Sequence, residues 1–324
     1  MEQLGFIDWD AAVKTGGALV PPGPALPADE IAAVVASLHG AADAANEHVA
    51  AVTGLPTPPD ARVLVVDRPS WIAACARGTR AILGDVGAAA GDGVLARLSG
   101  GVQGGGLGAM LAAISTRVLG QFEPFASPAT LLLVAPNIVA VERDLGADAA
   151  DFRLWVCVHE QTHRFQFGRA PWLRDHLIGL MAQMLDAEEI VSLRQLAQGD
   201  SLLDRFLTPA QREVFDQTTA VMSLVEGYAD VMMDRVGTDV IATLPAIRAA
   251  FERRRDRGGW SAVVGKLIGA DLKLAQYREG AAFCQAVLDR AGLDGLNAAW
   301  ESADTLPRLD ELRDPGLWMA RVCS

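Results

Sequence analysis

The sequence predicts a mainly α fold, of the α+β kind with a few short strands, and three observations point there. An Ala-rich stretch early in the 324-residue chain reads as helix, and apolar side chains recur every three or four residues around the chain's most distinctive motif. Only three short runs, residues 62–67, 130–134 and 138–143, are rich enough in β-branched and apolar residues to be strands. With 51% apolar and 21% charged residues there is ample core for one large or two ordinary domains.

The first ten residues are acidic and lack the basic-then-apolar order of a secretory signal. An irregular segment with Pro21, Pro22, Pro24 and Pro27 follows, after which Asp29 is expected to cap a helix running to about Thr53. Pro56, Pro58 and Pro59 end it. Residues 62–67 read as a short strand or an extended lead into a helix that starts near Pro69-Ser70-Trp71. Further helices are expected to about Gln121.

Gly100, Gly101, Gly104, Gly105, Gly106 and Gly108 interrupt that helical region. No Gly-Lys-Ser/Thr follows them and no clear strand precedes them, so a flexible connection is expected rather than a phosphate loop. A flap over the functional site is the other reading. The turn-rich Glu123-Pro124-Phe125-Ala126-Ser127-Pro128 marks a boundary between an amino-terminal helical domain, 1–125, and a metal-site domain, 126–324. Residues 130–134 and 138–143, flanking Pro136-Asn137, are expected to be two short strands. A strand there would offer its edge to an extended peptide.

The chemistry concentrates in Val158-His159-Glu160-Gln161-Thr162-His163. Phe152, Trp155, Val156, His159, His163 and Phe167 recur at helical spacing, which predicts a helix from about Ala150 to about Gly168. On one helix face His159 and His163 can share a tetrahedral cation, and Glu160 beside them can act on a water at the metal. Two imidazoles are an incomplete catalytic site, because catalytic zinc takes three protein ligands and leaves one position open. Gln166 and Arg169 stand where an extended motif would carry its later glycine and histidine, which excludes that class.

The third ligand is expected downstream. Thr208-Pro209-Ala210-Gln211 has a cap, a proline at the first helical position and the capping-box glutamine, so a long helix should begin there and run to Gly237. It carries Glu226 and Asp230 on one face among apolar neighbours, where carboxylates are costly unless paired or bound to metal. Glu226 is the expected ligand, and Asp230 is placed to accept the free ring N–H of His159 or His163. The alternative is a pair of solvated acids, which the small residues Gly227 and Ala229 disfavour.

His176 is a rival ligand or an electrophilic helper, though a surface or core role is the plainer reading. Tyr228, about 200° around the helix from Glu226, should face away from the metal. Tyr277, on a separate helix with Lys273 on the same face, is the candidate oxyanion donor, with core packing as its other reading.

A net charge of −12 and a pI near 4.9 argue against a nucleic-acid partner. The basic run at 253–257 reads as a solvated helix end. The uncharged stretches 98–116 and 124–141 are broken by glycines or prolines, so no membrane span is expected. Cys75, Cys157, Cys284 and Cys323 lack paired spacing, which fits reduced thiols in a cytoplasmic protein. Cys157 should face away from the metal.

With His-Glu-Gln-Thr-His joined to Glu226-Gly227-Tyr228-Ala229-Asp230, the chain resembles zincin-fold metallopeptidases whose third ligand is a glutamate on a later helix. In those enzymes an aspartate one turn after that glutamate supports a ligand histidine, and Asp230 matches it. The chain also resembles the actinobacterial-type family of zincin-like hydrolases, some of whose members carry a label linking them to deazaflavin-cofactor biosynthesis. That likeness runs over nearly the whole length, through Ile7-Asp8-Trp9, residues 159–168, 226–230 and 273–283, and the tail from Trp300 to Trp318.

The resemblance implies an amino-terminal helical domain followed by a zincin-like carboxy-terminal one. The expected function is a zinc-dependent (Zn2+) hydrolase, foremost a metallopeptidase acting on a peptide or small amide, with Glu160 as base. The region around Tyr277 departs from the usual oxyanion donors of better-studied peptidases. The alternative function is a helical scaffold or binding protein that keeps a structural or catalytically silent metal site.

Overall fold

Asp8 starts the first helix: its carboxylate accepts from the amide of Ala11 at 2.8 Å and so satisfies one of the helix's orphan N–H groups. This computed structural model describes residues 7–90, 104–186, 208–256 and 271–323. Its chain divides into two compact units, one of residues 1–83, 98–169 and 232–263, the other of 84–97, 170–231 and 264–324.

The first unit contains α1 (Trp9–Leu19), α2 (Ala28–Thr53), β1 (Arg62–Val66) and most of α3 (Arg68–Ala90). It continues with α4 (Gly104–Ser115), β2 (Gly120–Glu123), β3 (Thr130–Val134), α5 (Ala135–Leu145) and α6 (Ala149–Arg169). The three strands form one sheet in the order β1-β3-β2, with β1 parallel and β2 antiparallel to β3. Every residue of β3 is buried, as a central strand covered on both faces requires. The sheet's apolar face meets Trp9, Trp71, Ile72 and Leu111 in a common core with Leu132 and Val134.

The second unit holds α7 (Trp172–Asp186), α8 (Pro209–Arg235) up to Val231 and α10 (Asp271–Asn297), followed by two short 3-10 turns, α11 (Leu309–Arg313) and α12 (Pro315–Val322). From Met232 onward α8 belongs to the first unit, as does α9 (Leu244–Asp256). The mainly α architecture with a few short strands is the expected one.

Several local expectations are corrected. Residues 138–143 form part of α5 rather than a strand. Pro136 sits in its first turn, where a missing N–H costs nothing and a fixed φ favours helix, and Gly146 closes it with φ 61°. Asp29 is not the cap of α2; Pro27 holds that position without a side-chain bond, and Asp29 and Glu30 lie in the first turn, where their charge suits the positive helix end.

The glycines 104–108 are helical, neither a connection nor a flap; Gly100 and Gly101 lie outside the described residues. A Cβ at Gly108 would come within 2.4 Å of the Ala12 carbonyl oxygen, and one at Gly104 within 2.4 Å of that of Asp8. Backbone-to-backbone contact with α1 therefore selects these glycines, and outweighs their poor helix propensity. The segment 123–128 links the paired strands β2 and β3. No described helix is long and apolar enough to cross a membrane.

Candidate metal centre

α6 is held from several sides, so the imidazoles it carries are fixed in place. Asp148 accepts from the Asp151 amide at 3.0 Å to start the helix. Gln161 donates to the Ala42 carbonyl of α2 at 3.0 Å. Arg164, itself buried, donates to the Pro58 and Pro59 carbonyls, both at 2.9 Å from Nη2, and to Asn46 and Gln161. These bonds tie the motif helix to α2 and to the proline loop. Phe152, Trp155, Val156 and Phe165 fill the core on other sides.

His159 and His163 lie one turn apart, both half-buried, with their rings edge to face at 4.6 Å. Their Nε2 atoms are 3.1 Å apart. His163 Nδ1 stands 2.8 Å from the Oε1 of Gln166, a fully buried residue. An amide oxygen can only accept, so Nδ1 donates to it, and in the neutral ring Nε2 is then left with its lone pair. Gln166 is thus an orienting residue, although in the sequence it shows only as a departure from a longer motif. Its spacing of three from His163 on the same helix was the available signal.

Glu160 is 6% exposed and faces Gly120, the first residue of the edge strand β2. A Cβ on Gly120 would fall 2.5 Å from Glu160 Cγ and 2.7 Å from its Oε1. The missing side chain is what gives the carboxylate its room. Cys157, as its angular position implied, points elsewhere: its thiol lies against the Leu38 carbonyl of α2, and burial, with the nearby Glu160 charge, pushes its pKa up.

α8 begins with the expected capping box, Thr208 N to Gln211 Oε1 at 3.0 Å and Gln211 N to Thr208 Oγ1 at 3.2 Å. Glu226 and Asp230 are half-buried one turn apart on it. Between them Gly227 abuts the α10 backbone, where a Cβ would lie 2.2 Å from Gly280 C. Tyr228 is fully buried; its hydroxyl donates to Asn297 Oδ1 at 2.8 Å and its ring meets Trp300 edge to face. Asp230 adds its charge to the burial that raises the Cys284 thiol.

Among the described residues His159, His163 and Glu226 form a group able to hold a metal ion, each offering one ligand atom within 4.8 Å of the others. His176 belongs to no such group; it packs against Trp172 and burial lowers its pKa. The side chains of Tyr277 and Lys273 lie outside the described residues.

The donor set fits zinc. Two nitrogens bound to one tetrahedral zinc at about 2.0–2.1 Å stand about 3.3–3.4 Å apart. The observed 3.1 Å between the two Nε2 atoms is close to that.

The family description of zincin-like metallopeptidases matches residues 7–319 of the chain. A crystal structure from Chloroflexus aurantiacus, described as a "putative hydrolase with a novel fold", is similar with a TM-score of 0.74 and 29% identity. The likeness covers 97% of this chain and 98% of that one. No curated protein matches the sequence.

Proposed function

The chain belongs to the zincin-like metallopeptidases, and from that premise we propose that it is a zinc-dependent hydrolase that cleaves an amide bond in a peptide or small amide. The observation that carries the reading is the convergence of the His159 and His163 Nε2 atoms, 3.1 Å apart, in one group with the Glu226 carboxylate. These three residues would hold the metal. Gln166 keeps the His163 proton on Nδ1, and Asp230, one turn beyond Glu226, is the proposed acceptor for a ligand histidine's ring N–H.

Held by His159, His163 and Glu226, a zinc ion would supply a water acidified to a pKa of about 7 and a Lewis acid for the carbonyl. Glu160 accepts the attacking water's proton and returns it to the leaving amine, so the group works as base and then as acid. Tyr277 is the proposed donor to the oxygen that becomes negative as the carbonyl is attacked. The acidic chain, net −12, argues against nucleic acid as substrate, and a cytoplasmic location is proposed with it.

The test combines elemental analysis of the purified protein with a broad peptide-library digest. One zinc per chain and saturable cleavage are expected. Glu160→Gln should keep the zinc and lower turnover by about 10²–10⁴-fold; undiminished turnover would refute the mechanism.

A further inference from the structure

The first unit contains a cavity of about 520 Å³ that shares no residue with the His–His–Glu group. Val34 and Val35 of α2, Val65 and Val66 of β1, and Pro136 and Val139 of α5 line it, and the proline-rich segment 20–24 borders it. Its size lies within the range of about 300–1,000 Å³ typical of small-molecule sites. No aromatic side chain lines it, so it offers aliphatic contact without a stacking surface. Ile31, at the cavity, is 50% exposed.

Two charged residues line this apolar space. The Asp67 carboxylate accepts from the Ser70 amide at 2.8 Å and so starts α3. Arg68 is only 8% exposed. Its Nε donates to Asn137 Oδ1 at 2.7 Å, and its Nη1 to the Pro21 and Pro22 carbonyls at 2.7 and 3.0 Å. Every one of these acceptors is neutral. No carboxylate pairs with the guanidinium among the described residues, and Nη2 has no acceptor among them.

A buried cation is costly when no anion balances it, and a guanidinium is fixed in its charged form and suited to carboxylates. Asn137 in turn donates to the Ser115 and Val118 carbonyls, so the Arg68 fork is braced rather than free to swing out to water. The cavity therefore joins an aliphatic wall to one preorganised positive charge that is not ion-paired, the other lining charge, Asp67, being turned to the Ser70 amide. A single cation with one uncommitted nitrogen suits a monoanionic head group better than a dianionic phosphate, which calls for several donors.

We propose that this cavity binds a medium- to long-chain aliphatic carboxylate, its head group on Arg68 and its chain among Val34, Val35, Val66 and Val139. The protein's net charge of −12 gives no long-range attraction for such an anion, so discrimination at the head group rests on Arg68.

The test is isothermal titration of the full-length protein with decanoate, with dodecanoate and with the methyl ester of dodecanoate, all below their aggregation limits. One saturable site is expected. Each added methylene should tighten binding about fourfold, hence about fifteenfold from decanoate to dodecanoate. The neutral ester should bind at least tenfold more weakly than the acid.

Arg68→Met should erase the acid-over-ester preference. Val35→Trp, a half-buried position on α2, should abolish binding of both by filling the space. If Arg68→Met fails to fold, the acid-against-ester comparison on the native chain still decides. Absence of saturable dodecanoate binding, equal binding of acid and ester, or binding untouched by Val35→Trp would each overturn the proposal.

Discussion

Gln166→Leu isolates the contribution of a single buried acceptor to metal affinity. In the native chain the Oε1 of Gln166 lies 2.8 Å from His163 Nδ1 and is wholly shielded from solvent. Without zinc, a leucine at 166 leaves His163 a way out: its proton can move to Nε2 and point at His159 Nε2, 3.1 Å away. With zinc on Nε2 that route closes, and the proton must sit on Nδ1 with no acceptor from residue 166. Loss of that acceptor costs about 1–3 kcal/mol, which falls on the bound state and weakens zinc by about 5- to 150-fold. Orienting partners of ligand histidines typically contribute about 10–100-fold, the same range.

Competition against a chromophoric chelator reads the affinity directly, and the melting temperature of the zinc-free protein controls for folding. Gln166→Glu, which keeps an acceptor at the same reach, should retain native affinity. A leucine variant that holds zinc within twofold of the native protein, at unchanged zinc-free stability, would refute the tautomer argument.

Gly120→Ala puts a methyl group 2.5 Å from Glu160 Cγ, and the flexible carboxylate end must give way. A displacement of about 1 Å at a reacting group can cost about 100-fold in turnover, so cleavage assays should show a large loss while zinc content stays at one per chain. Gly108→Val drives its side chain into the Ala12 carbonyl, 2.4 Å from the position of Cβ, and should destabilise the chain by about 1–3 kcal/mol in denaturant titration.

Cys75 is pushed up from 9.0 to about 11, by burial first and by the Glu123 charge second. At pH 8 its thiolate fraction is then about 100-fold below that of a thiol at the ordinary value, and alkylation should be slower by about that factor. Because the folded state holds this proton more tightly than the unfolded chain, its stabilising effect is complete below about pH 9 and is lost as pH rises toward 11. Urea titrations across that window should show stability falling with pH.

What was legible in the sequence is what local geometry encodes. His159 and His163 are a turn apart in any α-helix, and Thr208 with Gln211 forms its capping box within four residues, so both helices could be placed from spacing alone. The buried strand at 130–134 was visible as an unbroken apolar run. α5 was misread because Ile138, Val139 and Val141 favour strands by themselves, whereas Pro136 at its start and Gly146 at its end set a helix. α1 was not placed from the sequence; its start is set by Asp8, whose carboxylate accepts from the Ala11 amide.

Contacts between distant segments left no such trace. Nothing near Glu160 in the sequence announces that Gly120 makes room for it, and nothing near Glu226 announces that Gly227 rests on the backbone at Gly280. A glycine run such as 104–108 is ambiguous in isolation, since flexibility and close packing select the same residue. Only the partner helix, α1, distinguishes them.

The same limit bears on where an extended substrate could pair with the sheet. The sequence pointed to the run at 130–143, but β3 is the central strand and is paired on both sides, so its backbone groups are already spent. The open edges among the described strands belong to β1 and β2. Of these, β2 is the one whose first residue touches the proposed base, through the space that Gly120 leaves beside Glu160.

Its alternation assigns the two faces: Gly120 and Phe122 meet Glu160 and Phe167 of α6, while Gln121 and Glu123 face α3, where Gln121 accepts from the Trp71 indole at 2.8 Å. A peptide added to the β2 edge would run in the plane of the sheet without competing with either set of contacts. The strand that the sequence did not reveal is therefore the one that connects the sheet to the proposed chemistry, and its leading glycine serves both backbone pairing and the clearance of the carboxylate.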